Sequence, residues 1–157
     1  TMRALDVIAL TRLVEMDLPP PVRVTAGTVL GEVVQAMRQA RSGAALVETG
    51  DGRLIGIFTE NDLMMRVRHD DPRWRECPVA EVMTADPVVA TADGTIGDAL
   101  RSMAGGRRHM PVVDTTGRVL ALVSIREILQ HFAERFPKEF LNLPPDARHE
   151  AYGAWGG

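Results

Sequence analysis

An internal repeat constrains this chain more than any other feature of its sequence. Residues 22–37 (VRVTAGTVLGEVVQAM) and 88–103 (VVATADGTIGDALRSM) match at an offset of 66 positions. In both copies the apolar residues recur at the i, i+3, i+4, i+7 spacing of an amphipathic helix. These residues are Leu30, Val33, Val34 and Met37 in the first copy and Ile96, Ala99, Leu100 and Met103 in the second. Thr95, three residues before Asp98, predicts the N-cap of the second helix.

The remainder of each copy has one order of elements: a strand, a turn, a second strand and a second helix. The turns contain Asp-Gly or Thr-Gly between β-branched runs, a pattern that predicts β-hairpins. The sequence therefore predicts an α+β fold class with two β-α-β-β-α repeats. The predicted bounds are 1–68 for repeat 1 with an N-terminal helical segment, 69–77 for a polar linker, 78–136 for repeat 2 and 137–157 for a C-terminal extension.

Composition excludes several functional classes. Seventeen of the eighteen basic residues are arginine, and the only lysine is Lys138. Walker-type phosphate loops and pyridoxal enzymes both require a lysine in a context that Lys138 lacks. The net charge of −3, with no basic block, argues against nucleic-acid binding. With Cys77 as the only cysteine, the sequence offers no internal disulfide and argues against a metal site with His69 and His109.

No signal peptide is visible in the sequence. The longest apolar run, 119–123, is far shorter than the roughly 20 residues of a membrane helix. We therefore expect a cytoplasmic protein that does not bind membranes.

The repeated motifs resemble the cystathionine-β-synthase (CBS) domain, which occurs as a tandem pair called the Bateman module. The first copy contains GRLIGIFTENDL at 52–63, and the second contains VMT at 82–84 and RHMPVVD at 108–114. The resemblance covers about residues 5–136. Each motif alone is weak, but two ordered copies with matching spacing are specific.

The resemblance implies a regulatory module rather than an enzyme. In this family the two repeats pack through their sheets about a pseudo-twofold axis, and the resulting clefts commonly bind AMP, ADP, ATP or S-adenosylmethionine. No further cofactor is implied. Many such modules form disc-like homodimers through their helices, so we expect a homodimer that acts on an unidentified protein target.

In the family, a Ser/Thr-x-x-Asp motif after the second core strand contacts the ribose and the phosphate. Thr59 and Asp62 carry this motif in the first copy. The same spacing also predicts a capping box, and both roles can coexist because the cap fixes the carboxylate. The resemblance adds the segment 82–87 and the start of the second copy's first core strand. The candidate binding residues of this first cleft are Thr59, Asp62, Val82, Met83, Thr84, Pro87, Arg108, His109 and Met110.

Arg107 and Arg108 stand where the family often places a basic residue against phosphate, since an arginine fork suits phosphate oxygens. An exposed arginine pair is equally typical of a solvated loop. The second cleft combines Ser124 and Glu127 with Val22–Val24 and the small residues Gly43 and Ala44. Glu127 stands where aspartate is usual, and its longer side chain displaces the carboxylate. We therefore expect the first cleft to be the better site.

The sequence thus predicts a protein that senses an adenine nucleotide and signals to a partner. The alternative is a CBS interaction or dimerisation module that binds no ligand. The extension 137–157 fits either a flexible tail or a segment that docks on a partner.

Overall fold

The computed structural model describes residues 3–142 and contains two compact units of mixed α and β structure. Unit I comprises 3–19, Val88–Val112 and 120–142, and unit II comprises Pro20–Pro87 and Val113–Val119. The helices are α1 (Ala4–Leu10), α2 (Leu30–Ala40), α3 (Glu60–Met65), α4 (Ile96–Met103), α5 (Ile125–Arg135) and α6 (Pro137–Leu141). The strands are β1 (Val22–Val24), β2 (Ala44–Glu48), β3 (Leu54–Thr59), β4 (Thr84–Ala85), β5 (Ala90–Thr91), β6 (His109–Val113) and β7 (Val119–Ser124).

Two small sheets organise the units, as the fold class predicted. One sheet has the order β1-β2-β3-β4, in which β1 is parallel to β2 and the other neighbours are antiparallel. The second sheet has the order β5-β6-β7. Phe58 lies in the core of unit II and Phe132 in the core of unit I. Each unit therefore has a hydrophobic core of its own.

The helical stripes are confirmed with one exception. All four stripe residues of α2 are buried, and so are Ile96, Ala99 and Met103 of α4. Leu100, however, is 39% exposed, whereas its counterpart Val34 is 9% exposed. The predicted cap is present, because the amide of Asp98 donates to Thr95 Oγ1 at 3.1 Å.

The two units do not coincide with the two sequence repeats, because short segments are exchanged between them. The 3₁₀ turn Leu13–Glu15 lies in unit I, and its counterpart at the offset of 66, Val79–Glu81, lies in unit II. The amide of Leu13 donates to the carbonyl of Gly94 at 2.9 Å. The amide of Val79 donates to the carbonyl of Thr28, also at 2.9 Å. Each repeat therefore contributes its first turn to the core that holds the other repeat's first helix.

The start of the first helix in each repeat depends on this exchange. The amide of Leu30, at the start of α2, donates to the carbonyl of Cys77 at 2.8 Å. The amide of Ile96, at the start of α4, donates to the carbonyl of Thr11 at 2.8 Å. The first amides of a helix have no partner within the helix, so an outside carbonyl must satisfy them.

The segments that precede the two exchanged turns also pack on these first helices, on α4 in unit I and on α2 in unit II. In unit I, α1 packs on α4, and a Cβ added at Gly97 would lie 2.9 Å from the carbonyl oxygen of Ala9. The sequence assigned this N-terminal segment to repeat 1, but the structure packs it on a helix of repeat 2. In unit II, the predicted linker contains the 3₁₀ turn Trp74–Glu76, which packs on α2. It is an ordered part of the unit, because Trp74 contacts the core.

The sequence pattern predicts that the helix after the second strand of repeat 1 runs to about Arg68, but α3 ends at Met65. The amide of Arg66 closes its last turn on the carbonyl of Asp62, and the following Val67 is buried in the core of unit II. The pattern of repeat 2 predicts a helix to about Phe136, and α5 ends one residue earlier, at Arg135. The extension begins with α6, whose Phe140 is buried, and its remainder lies outside the described residues. None of the described helices is long and apolar enough to cross a membrane.

The contact between Gly97 and α1 is testable. Alanine normally stabilises a helix relative to glycine by about 1 kcal/mol. We expect Gly97→Ala to lower the free energy of unfolding by about 1–3 kcal/mol instead, because the new methyl meets the backbone of Ala9. Chemical denaturation measures the change. Gly27→Ala is the control, since nothing lies within 4 Å of its added Cβ. A Gly97→Ala protein as stable as the wild type would contradict the packing.

Candidate functional site

The Thr59–Asp62 motif lies at the turn where β3 ends and α3 begins. The amide of Thr59 donates to Asp62 Oδ2 at 2.9 Å, and the amide of Asp62 donates to Thr59 Oγ1 at 3.2 Å. These two bonds form the predicted capping box. Asp62 is only 6% exposed. The cap thus fixes one buried carboxylate oxygen directly beyond the end of a core strand.

Arg66 holds the other oxygen of that carboxylate. Its Nε lies 3.6 Å from Asp62 Oδ1, one helical turn away. Its Nη1 also donates to the carbonyl of Met83 at 3.3 Å and lies 3.5 Å from that of Val82. One guanidinium therefore connects the Asp62 carboxylate to the segment 82–87. The i, i+4 spacing of an acid and a base is a signal from which this pair was predictable, although sequence reasoning missed it.

The segment 82–87 runs along the free side of β3. Thr84 pairs with Ile57 and Ala85 with Gly56, which makes β4 the edge strand of its sheet. Met83 lies across Gly56: a Cβ added to that glycine would collide with the Met83 sulfur. The missing side chain of Gly56 thus allows the segment to approach the sheet closely. Two parts of the predicted first site, the Thr59 motif and 82–87, lie in unit II.

Gly43 and Ala44 also belong to unit II, at the start of β2. The carbonyl of Gly43 accepts from the amide of Glu60 at 2.9 Å, and Ala44 pairs with Thr59 across the ladder. Both residues are buried. The structure thus brings them beside the Thr59 motif, together with Val22–Val24 in the same sheet. Their assignment to a cleft with Ser124 stays a prediction.

Unit I repeats this arrangement around Ser124 and Glu127. The amide of Ser124 donates to Glu127 Oε2 at 3.0 Å, and the Ser124 hydroxyl contacts the same oxygen. The amide of Ile125 donates to the carbonyl of Arg108 at 3.2 Å, as Glu60 does to Gly43. Burial raises the pKa of Glu127 above its usual value. The Glu127 carboxyl group therefore takes up a proton at a higher pH than an exposed glutamate does.

Arg108, His109 and Met110, predicted for the first site, lie in unit I. Arg108 is exposed, and His109 begins β6. Burial, with a smaller contribution from the charge of Arg108, lowers the pKa of His109 to about 4. The imidazole is thus neutral at pH 7 and offers one N–H donor rather than a charge. Met110 is 1% exposed, and its side chain packs in the core of unit I.

The structure offers no metal site in its described part. Among residues 3–142, no group of three or more His, Cys, Asp or Glu side chains is placed to hold an ion. The thiol of Cys77 lies 3.1 Å from Glu81 Oε2, and burial followed by this contact raises the pKa of Cys77 to about 11. It is therefore a protonated, unreactive thiol at neutral pH.

Comparison with known proteins gives relatives that share part of this chain. The CBS domain-containing protein CBSCBSPB1 of Arabidopsis thaliana is 34% identical over 115 residues. That match covers 73% of this chain but 21% of the plant protein. The chain thus spans about a fifth of the length of this relative.

Solved structures share the fold over most of the chain. The CBS-domain-containing protein ATU1752 from Agrobacterium tumefaciens has a TM-score of 0.67 and 27% identity, over 77% of this chain and 98% of that one. The CBS domain protein PAE2072 from Pyrobaculum aerophilum, solved in complex with AMP, has a TM-score of 0.68 and 23% identity. That match covers 78% of this chain and 98% of the other.

A family model decides the assignment. The model of the CBS domain matches this chain twice, at residues 14–69 and 79–134. The two matches begin within one residue of the exchanged turns Leu13–Glu15 and Val79–Glu81. With the repeated strand–turn–helix sites described above, they show that this chain belongs to the CBS-domain family and contains two consecutive CBS domains.

Proposed function

We propose that this chain is a regulatory CBS pair that binds an adenine nucleotide at the Thr59 motif of unit II and signals occupancy to a partner protein. The observation that carries the proposal is the Asp62 carboxylate, which is buried at the end of β3 and bonded by Thr59. A ribose has two vicinal hydroxyls that can donate to one carboxylate, and such charge-assisted bonds are strong and geometrically specific.

The segment 82–87 suits the base of the nucleotide. Because β4 is an edge strand, one side of its backbone faces away from β3. Edge strands present N–H and C=O groups, and adenine carries both a donor and acceptors on its edge. Val82 and Met83, partly buried against the core of unit II, add apolar surface beside this strand. The AMP complex of PAE2072, which has the same fold, supports this choice of ligand.

Arg66 suits the transmission of occupancy. Its guanidinium contacts both the Asp62 carboxylate and the carbonyls of the segment 82–87. A nucleotide whose ribose hydroxyls donate to Asp62 competes with Arg66 for that carboxylate, so it changes how the segment 82–87 is held. A ligand shifts a conformational equilibrium only by binding one state better than another, and Arg66 provides such a difference. The partner and the oligomeric state, for which we expect a homodimer, stay predictions.

The ligand panel for the proposal is AMP, ADP, ATP and S-adenosylmethionine, tested by thermal denaturation. A ligand at a hundred times its dissociation constant stabilises the protein by about 2.7 kcal/mol. We expect at least one adenine nucleotide to raise the melting temperature. If none does at millimolar concentration, the nucleotide proposal fails and the alternative, an interaction module without a ligand, is favoured.

Asp62→Asn tests the assigned carboxylate. The amide oxygen retains a cap acceptor but loses the charge, so we expect most of the nucleotide-induced shift to disappear. Asp98→Asn is a matched control, because Asp98 forms the same capping box with Thr95 in α4. This control should lose a similar amount of stability at its helix cap but retain the nucleotide-induced rise in melting temperature. Equal shifts in the two variants would show that Asp62 does not bind the nucleotide.

Glu127→Gln tests whether the Thr59 motif is the main site. The substitution keeps the length of the side chain and an acceptor for Ser124. We expect the nucleotide-induced shift to be unchanged, since the displaced carboxylate of Glu127 suits a ribose less well. Calorimetric titration of the variant gives both affinity and stoichiometry. A loss of binding as large as that of Asp62→Asn would contradict the order of the two sites.

The neutral state of His109 predicts a pH dependence of stability. The unfolded chain takes up this proton near pH 6.5, whereas the folded protein takes it up near pH 4. The unfolded state therefore binds more protons between these values, and the free energy of unfolding falls as the pH is lowered from about 6.5 to about 4, by up to roughly 3 kcal/mol. Glu127 acts in the opposite sense, because its raised pKa stabilises the fold at low pH and ceases to do so as the pH rises through that pKa.

Urea denaturation of wild type and His109→Gln between pH 4 and pH 7.5 isolates this residue. The difference in unfolding free energy between the two proteins should change across the window and be constant above it. A difference between wild type and His109→Gln that is constant at every pH would show that His109 is not buried in its neutral form.

A further inference from the structure

A pocket of about 500 Å³ lies on unit II, between α2, α3 and the predicted linker. Helix α2 contributes Val34 and Arg38, α3 contributes Leu63, and the predicted linker contributes His69, Trp74 and Arg75. This volume is within the range of small-molecule sites. We propose that the pocket binds a small ligand with a flat apolar body and a single anionic group. This inference is independent of the nucleotide site.

The apolar body is assigned from the walls of the pocket. The indole of Trp74, the side chain of Leu63 and that of Val34 converge on it. The imidazole of His69 packs on the indole with ring centroids 5.4 Å apart, which holds the tryptophan in place. A flat apolar group gains burial and contact with an aromatic side chain in such a setting.

The anionic group is assigned from the charges. Arg38 and Arg75 line the pocket, and no carboxylate side chain does so among the described residues. Neither guanidinium forms a salt bridge within residues 3–142. The Arg75 guanidinium carbon lies 4.6 Å from the centre of the Trp74 ring. A stacked guanidinium keeps its N–H donors in its own plane, where they remain available to a carboxylate.

The pocket is formed by residues of unit II whose counterparts in unit I differ in residue type and in local structure. At the offset of 66, Trp74 corresponds to Ile8 and Arg75 to Ala9. In unit I these counterparts lie in the regular helix α1, where Ile8 is buried in the core. In unit II the chain forms only a 3₁₀ turn, which approaches α2 at Gly31: a Cβ there would lie 3.2 Å from that of Arg75. The exchanged segment thus brings an aromatic and a cationic side chain to this helix.

The probe for the test is 2-naphthoate, which joins a flat apolar body to one carboxylate. Its binding is followed by NMR through the indole N–H signal of Trp74. The second tryptophan, Trp155, is removed by Trp155→Phe to assign the signal. We expect a saturable shift of the Trp74 signal. The neutral 2-naphthamide should bind about tenfold more weakly or worse, because it lacks the charge-assisted bonds. Inorganic phosphate should give no saturable shift, because it lacks the apolar body.

Arg38→Gln and Arg75→Gln should each raise the dissociation constant for 2-naphthoate by about tenfold. Arg73→Gln is the matched control, since Arg73 is exposed in the same segment but does not line the pocket. All three side chains are exposed, and the dispersion of the NMR spectrum verifies that each variant is folded.

Three results would overturn the inference: no saturable shift with 2-naphthoate, equal affinity for the amide, or unchanged affinity in both pocket variants. If inorganic phosphate alone gave a saturable shift, the pocket would bind an anion without an apolar body, and that part of the proposal would be wrong. The titration is repeated with Asp62→Asn, which should bind 2-naphthoate like the wild type. Failure of the nucleotide proposal is therefore distinguishable from failure of this one.

Discussion

One reciprocal pair of backbone hydrogen bonds determines how this chain is divided into its two units. Leu30 at the start of α2 donates to Cys77, and Ile96 at the start of α4 donates to Thr11. In each case a segment that precedes one CBS domain satisfies the first helix of the other. Buried Leu13 and Val79 follow these segments into the two cores. Neither repeat is therefore a complete folding unit: without its counterpart, each loses the acceptor for the first amide of its first helix and part of its core.

The local pattern of the fold was predictable because short-range physics decides it. The stripe of α2, the hairpin of β2 and β3 and the capping boxes at Thr59 and Thr95 all follow from residues within one or two turns of each other. The exchange was not predictable in this way. Residues 11–13 and 77–79 carry no motif of their own, and the repeat is weak at these positions. Their partners lie in the other copy, where only the folded chain brings them into contact.

The candidate site likewise combines features that the local sequence predicts with features that depend on the folded chain. The spacing of Thr59 and Asp62 predicts both a cap and a ligand carboxylate, and the cap is present. What the sequence does not contain is the environment: the neutral state of His109 and the core position of Met110 depend on burial by residues distant in the chain. Arg66 is an intermediate case. Its spacing to Asp62 is local, but its contact with the carbonyl of Met83 depends on β4 pairing with β3.

Both proposed sites lie in unit II, because the corresponding positions of unit I carry other residues. Unit I has glutamate where unit II has Asp62, and a regular helix with Ile8 where unit II has a 3₁₀ turn with Trp74. The proposed sites are connected by one stretch of chain, because Arg75 precedes the exchanged residues Cys77 and Val79, and the segment 82–87 follows them. In both proposals the ligand lies next to the stretch whose Cys77 carbonyl accepts from the first amide of α2. A ligand that displaced this stretch would weaken the support of α2, which is the physical route from ligand to helix that the proposed regulatory role requires.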